Sequence, residues 1–179
     1  MPEPKYEISA TRRDEFDEIM AMTKRAAVFN EEEVETVTEL LEGYEEGPEI
    51  SGYYFLSCRV AAHPDRSREA AESKDVPPGQ VIGYACWGPR ELSGNGYDLY
   101  WICADPAVHS KGVGRALMQA VEEEIRKRNG AWLVIETSDT DHYGPARRLY
   151  ERCGYTLAML LPDFYKDGDG MCTYTKRLR

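Results

Sequence analysis

Apolar and polar positions along this chain switch between a two-residue and a 3.6-residue period, and the switches divide it into elements. Tyr6–Ala10 reads as a short strand. Thr11-Arg12-Arg13-Asp14 reads as a helix cap with an acidic residue at its third position, and Phe16, Ile19, Met20, Thr23 and Ala27 follow at helical spacing. Asn30 ahead of Glu31, Glu32 and Glu33 is a second cap, with Val34, Val37, Leu41 and Tyr44 as the next apolar stripe. Gly43 and Gly47-Pro48 are expected to stop that helix. Residues 52–61, 80–87 and 97–104 are rich in aromatic and β-branched residues and read as strands, the first two antiparallel across a polar, proline-bearing loop at 63–79. A long helix runs to Arg128, with Val113, Ala116, Leu117, Ala120, Val121 and Ile125 on its apolar stripe and Asn129-Gly130 closing it. Residues 131–137 form an apolar strand. The helix between it and 97–104 predicts that these two strands lie parallel. Pro145 opens a last helix, lined by Ala146, Leu149, Tyr150 and Cys153 and ended by Gly154. Strands at 155–161 and 171–176 follow, joined by a loop at 162–169.

Composition narrows the choice of partners. At 179 residues and 42% hydrophobic content the chain can bury a substantial core, and with no repeat or linker in view residues 1–179 read as one domain. A formal charge of -10 argues against nucleic acid, which needs a basic face, and leans weakly toward cationic small molecules. The five cysteines, Cys58, Cys86, Cys103, Cys153 and Cys172, show no Cys-x-x-Cys spacing and no metal site is indicated. Asp167-Gly168-Asp169-Gly170 lacks the remaining ligand spacing of a calcium loop and reads as a hairpin turn. No signal peptide and no bilayer-length apolar run is visible, so a reduced cytoplasmic protein with no membrane partner is expected.

The chemistry concentrates in His109-Ser110-Lys111-Gly112-Val113-Gly114-Arg115, between a strand and the long helix. Gly112 and Gly114 let the backbone approach an anion and take positive φ, the helix start offers unpaired N–H groups, and Lys111 and Arg115 add positive charge. A Walker loop would need Gly-Lys-Ser/Thr, and a dinucleotide fingerprint would need a third glycine where Leu117 stands. The order strand, Asp105-Pro106, Gly-x-Gly-Arg-Ala-Leu, helix, strand, then a helix ending Leu149-Tyr150-Glu151-Arg152-Cys153-Gly154-Tyr155 resembles the GNAT superfamily of N-acetyltransferases. The resemblance covers residues 80–177 well and the N-terminal part in element order. His109 departs from the family's Gln or Arg at that position, and Tyr143 lies where family members commonly carry an asparagine.

That resemblance implies a mixed, mainly antiparallel α/β sheet of six or seven strands, helices on both faces, and a splay between two parallel central strands. It implies acetyl-CoA as co-substrate without a metal, and a small-molecule amine, amino acid or peptide N-terminus as acceptor. Ile102, Cys103 and Ala104 would pair their backbone with the pantetheine arm, and residues 110–115, including Val113, would hold the pyrophosphate, with His109, Tyr143 and Arg147 as further cofactor contacts. An amide at or beside Cys103 would polarise the thioester carbonyl. Tyr150 would protonate the departing thiolate. Asp98 leads as general base, sharing a face with Tyr100, Ile102 and Ala104 by strand alternation, with Glu136 second. Tyr44, Tyr143, Phe164 and Tyr165 are expected to rim the acceptor pocket, and dimers are frequent among similar proteins. Two other classes stay open: a non-catalytic acyl-CoA-binding or sensing module, and a nucleotide-binding protein.

Overall fold

The computed structural model describes residues 6–61, 77–107 and 112–179. Its strands are β1 Tyr6–Ala10, β2 Tyr54–Val60, β3 Val81–Pro89, β4 Gly96–Ala104, β5 Trp132–Ser138, β6 Thr156–Lys166 and β7 Asp169–Arg177. Its helices are α1 Phe16–Arg25, α2 Glu31–Glu46, the single turn α3 Pro48–Ser51, α4 Val113–Lys127 and α5 Gly144–Arg152. The strands form one seven-stranded sheet in the order β1-β2-β3-β4-β5-β7-β6. Only β4 and β5 run parallel, as the intervening helix requires; the other pairs are antiparallel.

Helices cover both faces. Phe16, Ile19 and Met22 of α1 and Val37, Leu40 and Leu41 of α2 bury against Phe55, Tyr84, Cys86 and Cys103 of the sheet. Val113, Leu117, Met118, Val121 and Ile125 of α4, with Tyr150 of α5, bury against Leu99, Leu133, Ile135, Cys172 and Tyr174 on the opposite face. The glutamates of α2 begin with a capping box, in which the Asn30 side chain accepts from Glu33 N–H and Glu33 accepts from Asn30 N–H. At the first cap the reciprocal acid is Glu15, which accepts from the Arg12 N–H, while Thr11 turns its hydroxyl to Ser57. Glu15 also meets Arg59 in an ion pair, both side chains almost wholly buried.

Three sequence-based expectations change here. The α2 helix ends at Gly47-Pro48 as expected but runs through Gly43, where the absence of a side chain makes room for the Tyr53 ring. The expected loop at 162–169 shrinks to a two-residue turn, with Gly168 at φ +77°, so β6 extends to Lys166. In β4 a bulge leaves Tyr100 without a partner on β3, since Cys86 faces Trp101 and Trp87 faces Leu99. The bulge breaks simple alternation. Leu99 and Ile102 pack toward α4, whereas Trp101 and Cys103 pack toward α1 and α2.

Candidate active site

The parallel ladder is short. Gly96–Leu99 pair with Trp132–Ile135, and pairing stops there. Beyond it β3 still holds β4 and β7 still holds β5 on their outer edges, so the two strands part with their inner backbone groups free. A cleft of about 1200 Å³ occupies the gap, lined by Leu99 to Ile102 on one strand and Ile135 to Ser138 on the other.

The start of α4 lies against the end of β4, since a Cβ on Gly83 would meet both Val113 and the Cys103 carbonyl. Gly112 takes φ +103°, open on the side where a Cβ would project, and among the described residues no side chain caps the helix. The first helical hydrogen bond, Ala116 N–H to Gly112 C=O, leaves the N–H groups of Val113, Gly114 and Arg115 without helical partners. His109, Ser110 and Lys111 lie outside the described residues. Gly114 corrects an expectation: it sits inside α4 without positive φ, and a Cβ there would meet Leu149 Cδ2 at 2.9 Å. Its role is close packing of α4 on α5. Asp105 anchors the chain entering this loop. Its carboxylate accepts from Arg25 of α1 at 2.6 Å and from Ala107 N–H at 2.8 Å.

Tyr150 of α5 reaches the cleft with its ring packed near Tyr155 and Tyr174. No hydrogen bond engages its hydroxyl among the described residues. Burial, then the neighbouring Tyr174, pushes its pKa well above that of an ordinary phenol. Ile102 lines the cleft, while the Cys103 thiol turns into the α1–α2 core and burial pushes its pKa up to about 12. Ala104 is exposed at the end of β4. Arg115 is exposed on the first turn of α4. Arg147 is engaged in the turn after β5, donating to the carbonyls of Ser138 and Thr140 at 2.6 Å each. Tyr143 lines the cleft and donates its hydroxyl to Glu33, bridging α5's approach to the start of α2.

The two candidate bases differ in setting. Asp98 accepts from Arg90 at 2.5 Å and does not line the cleft. Burial raises its carboxyl above the usual range and the Glu136 charge adds to this, against the pull of Arg90. It faces Val134 across the ladder, on the opposite face from Leu99 and Ile102, so the expected shared face with Ile102 does not hold. Glu136 lines the cleft, is 43% exposed, and holds Arg90 only at 3.5 Å. No described hydrogen bond ties it to the loop after Thr137. Arg90 thus joins the two acids, a role with no signature in a turn-rich loop. Among the expected rim aromatics, Tyr143 and Tyr165 line the cleft. Phe164 does not line it and is exposed on β6, and Tyr44 packs between α2 and the sheet with its hydroxyl on Thr11 C=O. Two buried side-chain atoms on the α1–α2 side lack partners among the described residues: Trp101 Nε1, in a side chain that lines the cleft, and Thr173 Oγ1 on β7, the register partner of Glu136.

Comparison with known proteins places this geometry. Residues 69–157 match the family described as an acetyltransferase (GNAT) domain. A stretch of 74 residues is 34% identical to the ribosomal protein bS18 alanine N-acetyltransferase of Escherichia coli K12, covering 40% of this chain and 47% of that protein, so the match spans about half the relative's length. A GNAT-family crystal structure from Desulfovibrio desulfuricans is 27% identical, with a TM-score of 0.82 over 97% of this chain and 99% of that one. A structure from Salmonella typhimurium, solved with its cofactor acetyl-CoA, shares the fold at 19% identity and a TM-score of 0.71, covering 98% of this chain and 95% of that one.

Proposed function

Because the chain belongs to the GNAT superfamily of N-acetyltransferases, we propose that it moves an acetyl group from acetyl-CoA to a primary amine by direct attack in a ternary complex. The observation that carries this reading is the gap between β4 and β5 beyond Leu99 and Ile135, lined by Glu136 on one strand and by Tyr150 of α5. We take residues 1–179 as one such domain.

The residues present suit acetyl-CoA, which supplies an activated acetyl thioester. The free inner edge of β4 at Ile102, Cys103 and Ala104 offers backbone groups to an extended arm, as a missing strand would take them. Amides of Gly112, Val113, Gly114 and Arg115 face an anion at the start of α4, and His109, Ser110 and Lys111 complete the assigned diphosphate loop. We assign the Cys103 amide, or its neighbour, as the donor to the thioester carbonyl. Tyr143 and Arg147 shape the cleft through Glu33 and the carbonyls after β5.

An alkylammonium acceptor is about 3.4 pH units from neutrality at pH 7, a cost of about 4–5 kcal/mol. Glu136 is the better-placed base, because it lines the cleft while Asp98 is engaged by Arg90. Asp98 acts as a positioning residue, holding the Arg90 guanidinium beside Glu136. In the transfer the amine nitrogen forms a bond to the acetyl carbon and gives its proton to Glu136, directly or through water. The carbon–sulfur bond breaks, and Tyr150 gives its phenolic proton to the sulfur.

The test is thiol release from acetyl-CoA across a panel of amines. Amine-dependent release supports the reading. Acetyl-CoA binding without release across the panel would favour a non-catalytic acyl-CoA-binding module, and stabilisation by ATP or NAD instead would point to a nucleotide-binding protein. The five free thiols, four of them buried, support the cytoplasmic location expected from the sequence. No described helix is long and apolar enough to cross a membrane. The homodimer is assigned to the outer edge of β6, where Leu157, Met159, Leu160 and Leu161 are exposed.

A further inference from the structure

The end of α1 and the chain leaving β4 are fastened to one another beside the cleft. Asp105 follows β4 directly, and its side chain is 1% exposed. Its N–H donates to Ile82 C=O on β3 at 3.0 Å. One carboxylate oxygen accepts from Ala107 N–H at 2.8 Å, and the other accepts from Arg25, the last residue of α1, at 2.6 Å. Arg25 also donates to Glu18 on its own helix at 3.1 Å. A buried carboxylate is strongly destabilised without its counter-charge, so the contact fixes the end of α1 against the chain that leads into the assigned diphosphate loop. The segment after Arg25 gives that fixed point its consequence. Ala27 takes φ +54°, a left-handed conformation that a residue with a side chain holds when its surroundings impose it. Ala26, Val28, Phe29 and Asn30 around it line the cleft, and the Phe29 ring packs on Trp101 of β4 at 5.0 Å. The chain therefore enters a strained turn at one anchored residue and leaves it as a wall of the cleft that also contains Glu136.

Resting on acetyl transfer as the reaction, we propose that Arg25 and Asp105 are positioning residues that tie the 26–30 wall of the cleft to the cofactor loop, so that the binding of each substrate depends on both. Neither side chain lines the cleft, and each acts through the backbone it holds. Asp105 sets the direction of the chain as it leaves β4 toward the start of α4, and Arg25 sets where the turn at Ala27 begins. The amine, which has to reach Glu136 inside the same cleft, meets the wall that this turn forms. Crossed dependence is the mark of such a tie. Arg25 belongs to α1 yet governs acetyl-CoA binding, and Asp105 stands next to the cofactor loop yet governs the amine. Proximity alone gives the opposite pattern, with each residue affecting the substrate nearer to it.

The experiment compares the full chain with its Arg25→Gln, Asp105→Asn and doubly substituted forms. The Kd for acetyl-CoA is read by calorimetry, and KM for the amine that the unsubstituted chain uses best is read by thiol release at saturating acetyl-CoA. Asparagine keeps an oxygen for Ala107 N–H, and Arg25 is 41% exposed, so Arg25→Gln carries the test even where Asp105→Asn folds poorly. Each single substitution is expected to raise both the acetyl-CoA Kd and the amine KM by about fivefold, and the double substitution to do no worse than either alone. A smaller folded fraction lowers the calorimetric stoichiometry and the apparent kcat but leaves Kd and KM in place, which separates positioning from lost stability. Unchanged Kd and KM, a shift for one substrate alone, or effects that add in the double substitution would overturn the tie and leave acetyl transfer standing. Acetyl-CoA binding by the unsubstituted chain with no thiol release from any amine would overturn acetyl transfer, and the positioning role with it.

Discussion

Tyr150 combines a ring packed among aromatic neighbours with a hydroxyl that no described residue engages. Burial raises its pKa, so the phenol keeps its proton throughout the neutral range and has one to give. Tyr150→Phe retains the ring and removes only the donor. Turnover is expected to fall about 100-fold, with acetyl-CoA affinity by calorimetry nearly unchanged. Unaltered turnover would exclude Tyr150 from proton transfer. A different kind of charge sits in the core. Burial alone would raise the Glu15 carboxyl, but hydrogen bonds from Arg59 and from the Arg12 N–H, with the Arg59 charge, hold it below the ordinary glutamate range. A depressed carboxyl contributes its stability above the unfolded pKa and loses it as pH falls through the folded one. Denaturation midpoints should therefore be flat in this respect above about pH 4.5 and decline below it. Glu15→Gln should remove that dependence and cost about 3 kcal/mol at neutral pH, because Arg59 remains buried without its counter-charge. A midpoint that declines equally in the variant would assign the acid sensitivity to other groups.

Elements set where those residues stand, and α4 is seated by one small residue of β3. A Cβ on Gly83 would meet Val113 Cγ1 at 2.6 Å and the Cys103 carbonyl at 3.0 Å, so the missing side chain lets the first turn of α4 lie against β4. Gly83→Ala should push that turn off the sheet, costing about 1–3 kcal/mol in urea denaturation, and should weaken acetyl-CoA binding in the same variant. Lost stability with unchanged binding would separate the seat from the cofactor loop. Gly83 sits in an apolar strand pattern with nothing local to set it apart, and its role comes from a helix thirty residues later. The strands and helices were legible because their periods are strong, and the parallel pair followed from the helix between its members. The Tyr100 bulge was not legible. It is a mismatch between two strands, and it moved Ile102 away from Asp98's face. Pro162 to Lys166 were read as loop because proline and aspartate punctuate them, yet on an edge strand a proline costs no ladder bond on its open side. At the site, motif and order alone named Tyr150, the Gly112 turn and Glu136, the last of these behind Asp98. Arg90 and Glu33 could not be named, since tertiary contact alone brings them to Glu136 and Tyr143.

At the scale of the whole molecule, charge and apolar surface are distributed unevenly. The chain carries -10 overall, but the segment 156–166 contains one aspartate, Asp163, and one lysine, Lys166. This strand is an outer edge of the sheet, and Leu157, Met159, Leu160, Leu161, Phe164 and Tyr165 are between 36% and 54% exposed along it. An edge with free backbone groups and apolar side chains is a template for another strand. A second copy of this chain presents the same edge, free of net charge, and a two-fold axis lets each β6 serve the other. Most other surfaces of the molecule would meet their copies with like charge. The assigned homodimer therefore predicts sedimentation as a dimer of the 20.4 kDa chain, tightening as salt screens the repulsion between the remaining surfaces. Leu157→Glu with Leu160→Glu places charge on the edge without touching buried core, and should yield a folded monomer with an unchanged circular dichroism spectrum. A wild-type chain that sediments as a monomer at micromolar concentration and high salt would remove β6 as an interface. A doubly substituted chain that stays dimeric would move the interface elsewhere.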